Sequence, residues 1–413
     1  MEANHRIAGI DVHKNMLAVV VTDAAREGDF HFERRKFGTV EGELRALAAW
    51  LAEQGVREAV MESTAQYWKP VWRHLEPQLR LHLAQAQSNR APRGRKGDFA
   101  DAERLARRHI AGELVLSFVP DAEQRLWRTI TRTQHQLMRD RVRLYGQLEC
   151  LLEDARIKLD TCVSDLLGTS SLRMLNALAE GEADPARLAA LAEPELRATT
   201  EQLRNALEAA PALGGLHRQI LKLFLQRLDL IERQMATLNE SIGKALHQHH
   251  DAVRRLVEVP GLGVNAAQKI IAEVGPAAAT FPSAEQLSSW VGVCPGREES
   301  AGVSKSDRSP KGNRMMRHVL NQAANAAVKT KGSIFKKHYE SLLPRLGHNK
   351  AIWAIAHRLC RLIWKVLHQG ASYQERGPLP DPQAIQRRKN RLIRQLKALG
   401  YQVQVTAPTE AVA

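Results

Sequence analysis

Arg6-Ile7-Ala8-Gly9-Ile10-Asp11-Val12 reads as a short apolar strand with a carboxylate set inside it. A charge in that position is costly unless something compensates it. A polar turn, His13-Lys14-Asn15, separates this run from a second apolar run, Met16–Val21. Phe30–Phe37 (FHFERRKF) partly alternates and predicts a third, edge-type strand. A helical pattern follows over Val40–Gln54, then a buried fourth strand at Glu58–Met61 and a helix beginning at Gln66 and reaching Leu75. Leu79, Leu81 and Leu83 alternate with Arg80 and His82, which predicts a fifth strand. A basic loop, Asn89–Lys96 (NRAPRGRK), leads into a helix starting near Asp98. Strand, strand, strand, helix, strand, helix, strand, helix is the order of the RNase H-like (RuvC-like) α/β fold.

In that fold the fourth strand lies beside the first, so Glu62, at its end, comes near Asp11. Asp98 and Asp101 are three apart at a helix start and share one face. Four carboxylates repel one another, and divalent cations remove that penalty. Mg²⁺, with Mn²⁺ as the alternative, suits all-oxygen ligands that also bind substrate phosphates. Two such ions can activate a nucleophile and stabilise a leaving oxygen. Taken singly, Asp98 could be a helix N-cap and Asp101 a favourable first-turn acid. Helix capping does not account for Asp11 inside a strand or Glu62 at a strand end.

The chain has 413 residues, enough for two or three domains, and Lys and Arg number 60 against 45 Asp and Glu, a formal net charge of +15. A sequence pI near 9.9 points to nucleic acid or another polyanion as partner. Cys150, Cys162, Cys294 and Cys360 form no C-x-x-C pair and read as reduced thiols, which argues against a zinc site or a disulfide framework. The opening MEANHRIAGIDVHK lacks the apolar core of a signal peptide. No stretch of about 18 uncharged apolar residues suits a membrane span. The expectation is a cytoplasmic protein without a membrane anchor.

Residues 1–118 form the expected catalytic domain, and from Pro120 to His250 the pattern turns helical. Leu126, Ile130, Leu137, Leu144, Leu148 and Leu151 recur at threes, fours and sevens, as do Ile220, Phe224, Leu228, Ile231, Met235, Leu238, Ile242 and Leu246. Both runs predict paired helices or a coiled-coil hairpin, so 119–250 is read as a linking and dimerising region. The stretch 168–215 between them is alanine-rich, helical and poorly periodic, as a spacer or dimerising segment would be. A mostly helical C-terminal domain, 251–400, would follow, then a disordered tail, 401–413. It opens on Val259-Pro260-Gly261-Leu262-Gly263, a tight turn that fits a helix–hairpin–helix with Gly261 and Gly263 near phosphate, or a plain connector. Helices are predicted over Asn265–Val274, Arg314–Lys329, Lys350–His368 and 382–399, with a loop over Gly292–Lys311. His247, His249 and His250 read as a solvated helix end, because no further ligands stand at zinc spacing.

That loop carries Pro295-Gly296-Arg297-Glu298-Glu299-Ser300-Ala301-Gly302. Small residues around Ser300 would let a phosphate backbone approach, and Arg297, Lys305, Arg308, Lys311, Arg314 and Arg317 would neutralise it. A serine hydroxyl is a weak nucleophile until a base or metal activates it, and no histidine stands nearby in sequence. On composition alone Ser304, Ser306 and Ser309 are equal candidates. Arg93, Arg95 and Lys96, and the run Arg387, Arg388 and Lys389, are further cations placed to meet nucleic acid.

In order, Gly9-Ile10-Asp11-Val12-His13-Lys14, Met61-Glu62-Ser63-Thr64-Ala65-Gln66-Tyr67-Trp68, Lys96-Gly97-Asp98-Phe99-Ala100-Asp101-Ala102, Val259–Gly263, Glu299-Ser300-Ala301-Gly302 and Lys311-Gly312-Asn313 resemble the insertion sequence 110 family of transposases. These are bridge-RNA-guided recombinases with a DEDD, RuvC-like N-terminal domain. Gly97 stands where the family pattern has a polar residue such as Thr. The resemblance implies that Asp11, Glu62, Asp98 and Asp101 are the metal ligands and that Ser300 attacks DNA, holding it as a phosphoserine. It further implies DNA and an element-encoded noncoding RNA as partners. A homo-oligomer, dimer or tetramer, would pair the carboxylates of one subunit with the serine of another. The residues alone leave open a metal-dependent nuclease that uses water, and a non-catalytic nucleic-acid scaffold.

Overall fold

The computed structural model describes residues 6–24, 30–62, 65–86, 89, 97–296, 298–300, 303–306 and 309–375, with 386, 389–390, 393–394 and 402–404 beyond them. At 298–300 and 303–306 the description extends to the backbone alone. Two compact units divide the chain at Glu123/Gln124.

The first unit is built on five strands, β1 (Arg6–Val12), β2 (Met16–Asp23), β3 (Glu33–Gly38), β4 (Val56–Glu62) and β5 (Arg80–Ala84), in the order β3-β2-β1-β4-β5. β1 to β3 are antiparallel neighbours, and β4 and β5 join in parallel. Parallel pairing needs crossovers, here α1 (Glu41–Glu53) and α2 (Trp68–Leu75). These helices cover one face, where Ala8, Ile10, Leu17, Val19, Leu47, Leu51 and Leu75 form the main core. The other face is covered by α3 (Asp98–Ile110) through Ala102, Leu105 and Ala106. This is the mixed sheet expected of an RNase H-like domain.

Some element bounds differ from those the sequence predicts. β3 begins at Glu33 rather than Phe30, because Phe30 and Phe32 lie 5.5 and 5.1 Å from the Arg107 guanidinium of α3. β4 begins at Val56 and includes Glu62 as its last residue, instead of ending at Met61. β2 runs on to Asp23.

Gly9 fixes how closely α3 can approach. A Cβ on Gly9 would lie 2.2 Å from the Ala102 carbonyl oxygen and 3.1 Å from the Ala106 Cβ. Helix backbone therefore rests directly on strand backbone, with small residues on both sides. At its far end α3 is tied to β4 by His109, whose Nε2 lies 2.9 Å from Glu58 Oε1.

In the second unit, α4 (Ala122–Asp154) pairs with a long helix, Gly215–Ala245, running the opposite way. Gln134 bonds Asn239, Arg141 meets Glu232 and His217 meets Asp154, in the order an antiparallel pair requires. The stretch between them is not a spacer. Four short helices, α5 (Leu159–Cys162), α6 (Thr169–Ala179), α7 (Pro185–Ala189) and α8 (Thr200–Ala206), lead into the return helix α9 (Gly215–Ala245). Leu159, Leu166, Met174, Leu178, Leu188 and Leu203 of that stretch share a buried core with Leu144, Leu148, Leu221 and Leu225.

The remainder holds α10 (His250–Val257), α11 (Val264–Val274), α12 (Ala284–Val291), a hairpin of β6 (Glu298–Ser300) and β7 (Val303–Ser306), α13 (Arg314–Ala327) and α14 (Ile334–His368). The hairpin replaces the expected loop over Gly292–Lys311. α14 starts well before Lys350: its first half is hidden from periodicity by Pro344 and by Gly347, where φ is +71° and the helix kinks. The predicted helix over 382–399 lies mostly outside the described residues, as does the tail. No helix among the described residues is long and apolar enough to cross a membrane.

Glu273 of α11 is fully buried, and its carboxylate joins three elements. Arg132 of α4 donates to both its oxygens, at 2.8 and 3.0 Å, Arg128 Nε stands 3.5 Å away, and Asn313 Nδ2 donates at 2.8 Å. Glu273→Ala would remove the buried acceptor that Arg132 and Asn313 share, so chemical denaturation should show a loss of about 1–3 kcal/mol. Gly9→Ala should cost about 1–3 kcal/mol through overpacking, read as a lower Tm, with α3 displaced from the sheet.

Candidate active site

Asp11 and Glu62 lie at the C-terminal ends of adjacent parallel strands, β1 and β4, and α3 starts over the same edge. Asp11 projects from the same face as Gly9, two residues before it, so the close approach at Gly9 brings the first turn of α3 to Asp11.

The acids are met by four basic or donating side chains. His13 Nε2 stands 3.0 Å from Asp11 Oδ2 and 3.6 Å from Asp98 Oδ1. Lys36 of β3 reaches the other Asp98 oxygen at 3.2 Å. Arg104, one turn along α3, holds Asp101 at 2.5 Å. Asn89 is buried and donates to Glu62 Oε2 at 2.8 Å, while Arg104 Nε donates to its carbonyl.

Burial pushes the Asp11 carboxyl above its ordinary value. His13 opposes that rise, and the nearby charges of Asp101 and Glu62 add to it. A carboxylate that burial and two other acids disfavour gains most from a cation. Ligand atoms of Asp11, His13 and Asp98 all lie within 4.8 Å of one another. The donor set is mainly hard oxygen, with one imidazole at its rim, and fits a divalent cation of the Mg²⁺ or Mn²⁺ kind.

His13, Lys36, Asn89 and Arg104 were not singled out in the sequence as site residues. His13 had a readable signal, being two residues from Asp11 in the turn that ends β1. Asn89 and Lys36 had none, since only the fold brings them close.

The second group of candidates is described only in part. Ser300 closes β6 and pairs with Val303 across the hairpin. The side chains of Ser300 and Lys305 lie outside the description, and Arg93, Arg95, Lys96, Arg297, Arg308, Arg387 and Arg388 lie outside the described residues. Lys311, Arg314 and Lys389 are exposed. Arg317 is engaged by the chain itself: Nη1 donates to the Pro310 carbonyl at 3.2 Å and to that of Gly292, and the guanidinium lies 4.5 Å from the Trp353 ring centre. The Gly261 turn does join α10 to α11, and a Cβ at Gly261 would meet the Ala323 carbonyl of α13 at 2.3 Å. Packing on α13 thus accounts for that glycine, whereas Gly263 faces open space. His249 stacks edge-on against Trp127, ring centres 5.3 Å apart, while His247 and His250 are exposed.

Residues 8–157 match a family profile described as a transposase, the DEDD type of the IS110 group. Residues 253–340 match a second profile, the transposase IS116/IS110/IS902 family. The two lie in order and together cover more than half the chain. The chain belongs to the IS110/IS116/IS902 family of transposases.

Among relatives of this IS110-family chain, the y4pF/y4sB transposase candidate of Sinorhizobium fredii is 27% identical over 180 residues, 42% of this chain and 46% of its own length. The transposase for insertion sequence element IS1111A of Coxiella burnetii is 28% identical over 158 residues, 36% of this chain and 43% of its own. An uncharacterized 43.6 kDa protein of insertion element IS110 from Streptomyces coelicolor is 26% identical over 153 residues, 37% of each chain. The matches therefore span less than half the length of each relative. A DEDD domain implies use of a divalent metal, in agreement with the carboxylates placed around Asp11.

If the acids bind such an ion, Mg²⁺ or Mn²⁺ should stabilise the protein against heat. Linkage gives about 2.7 kcal/mol at about 100 times the dissociation constant. Asp11→Asn should remove most of that gain while leaving the metal-free Tm close to that of the parent. A gain of equal size in the variant would place the ion elsewhere.

Proposed function

We propose that this protein is an RNA-guided DNA transposase that cuts and rejoins strands to move an insertion sequence. The observation that carries the reading is the gathering of Asp11, Glu62, Asp98 and Asp101 at one sheet edge in a chain of net charge +15. Carboxylates concentrated within a basic protein suit a site where cations mediate between acids and a polyanion.

Bound at the acids, Mg²⁺ would supply Lewis-acid stabilisation of charge developing on a phosphodiester. The chain's own part is to place and neutralise. Asp11 and Asp98 would hold the ion, with Asp101 and Glu62 completing the ligand set. His13, between Asp11 and Asp98, is placed to exchange a proton with a reacting oxygen at its Nε2. Arg104 and Asn89 orient Asp101 and Glu62.

Ser300 would be the nucleophile. Its Oγ forms a bond to phosphorus as the bond from phosphorus to the 3′ oxygen breaks. The serine proton goes to a base, and the departing 3′ oxygen takes up a proton. The strand is then held as a phosphoserine until a 3′ hydroxyl of the exchange partner attacks, restoring the phosphodiester and the free serine. The two C–O–P linkages exchange one for one, so no outside energy source is needed. Homo-oligomers, dimer or tetramer, would let the acids of one copy meet the serine of another. Sequence choice would rest with a noncoding RNA, because base pairing then carries specificity and the protein reads the backbone.

The test is to incubate the full chain with Mg²⁺, the element's RNA and labelled element-end DNA, then run a denaturing gel. A protein–DNA band should form and vanish in Ser300→Ala and in Asp11→Asn. Cleavage without a band, persisting in Ser300→Ala, would make the protein a hydrolytic nuclease that uses water.

A further inference from the structure

The second unit contains a concave pocket of about 690 Å³ between α4 and the start of α13, remote in sequence from the acids. Arg132, His135 and Arg139 of α4 face Arg314 and His318 of α13 across it. The two imidazoles stand 4.6 Å apart, ring centre to ring centre. Lys269 of α11 is half-buried and close enough to both to disfavour their charged forms.

No carboxylate lines the pocket. Glu273 bonds the lining residues Arg132 and Asn313, and Arg128 and Arg132 stand 3.5 and 2.8 Å from its carboxylate. That leaves Arg139, Arg314 and Lys269 with no ion pair among the described residues. Burial lowers the Lys269 ammonium, and it lowers both imidazoles, with the cations adding to the effect at each. Like charges collected in a concave, partly desolvated place raise the free energy of the protein unless an anion joins them. Arg314 is also the first residue of α13, so the positive end of that helix opens on the same pocket.

We infer that this pocket binds a backbone phosphate of nucleic acid, with Arg139 and Arg314 as the cations, His135 and His318 as donors, and Lys269 of α11 adding positive charge behind the imidazoles. Two guanidiniums from facing helices grip a tetrahedral anion from two sides, and the helices set their spacing. Asn313 is held by Glu273 and starts α13, which fixes Arg314 relative to α4. The inference rests on the reading of the protein as one that acts on nucleic acid, and it adds a residue-level grip for the strand or for the guide.

The test uses the full chain, with fluorescence anisotropy against a labelled DNA duplex and a labelled RNA stem of equal length at several salt concentrations. Arg139→Gln with Arg314→Gln removes two exposed cations, and a melt confirms the fold. Arg233→Gln, which removes a paired surface cation, is the control. The double variant should bind more weakly and show a slope of log affinity against log salt shallower by about one to two, with the control near the parent. A loss for DNA alone assigns the pocket to the DNA strand, and a loss for RNA alone assigns it to the guide. Unchanged affinity and slope for both polymers overturns the pocket while leaving the proposed function standing. Failure of the parent to bind either polymer overturns both.

Discussion

The approach of α3 to β1 at Gly9 is the constraint on which the acidic site depends. With 2.2 Å between the place of a Cβ and the Ala102 carbonyl, any side chain at Gly9 must lift the helix. α3 carries Asp98 and Asp101 in its first turn, and Asp11 lies two residues along the strand from Gly9. The same contact that packs the domain therefore sets the separation of the acids. Ala102 and Ala106 are fully buried and small for the same reason. His109 holding Glu58 at the other end stops the helix from sliding along the sheet. Stability and chemistry share one interface here, so a packing change would be felt in both.

Electrostatics act against that geometry. Burial raises the Asp11 carboxyl, and the neighbouring charges of Asp101 and Glu62 add to that rise. His13, Lys36, Arg104 and Asn89 offset it with one partner or more for each acid. Their strengths differ: Lys36 and Asp98 are well exposed, so their pair is weak in water, whereas the Asn89–Glu62 bond is part-buried, with Asn89 itself buried. His13 and Lys36, the exposed partners, are the ones a divalent ion could displace at small cost. Arg104 and Asn89 are held by each other and by their acids, and they serve as fixed supports.

Much of this was legible in the sequence, for physical reasons. β1 is legible to the residue because its apolar run is broken at both ends by charge, and the start of α3, near Asp98, is legible from the acids of its first turn. Asp11 stands out because an acid inside a strand has no ordinary explanation, and the other three acids gain meaning only beside it. β3 was misread at its start because Phe30 and Phe32 look like strand residues when their partner, Arg107, is far away in sequence. The tip formed by α5 to α8 gave no periodicity because its helices are too short to repeat a pattern, though their leucines are buried. Glu273 and Lys269 were invisible as a pair of opposites. One is neutralised and the other is not, and only the placement of α4 decides which.

The hairpin that carries Ser300 shows how the chain ties an excursion together at its neck. The excursion from Gly292 to Gly312 leaves and returns at one point. A Cβ on Gly312 would meet the Val291 carbonyl at 2.2 Å, and one on Gly292 would meet the Pro310 carbonyl at 2.7 Å. Gly292 also ends α12 in the left-handed region, at φ +76°, which a side chain would resist. Arg317 of α13 ties the neck shut by donating to the carbonyls of Gly292 and Pro310, and Asn313 N–H donates to Trp290. A closed neck fixes where β6 and β7 emerge. α13 therefore does two things from one turn: Arg317 closes the neck, and Arg314, three residues earlier, faces the cationic pocket. The serine segment and the pocket are thus referenced to the same rigid helix start, held in turn by the buried Glu273 through Asn313. Loss of that one carboxylate would loosen both together, which is why its burial is tolerated despite the cost of desolvating a charge.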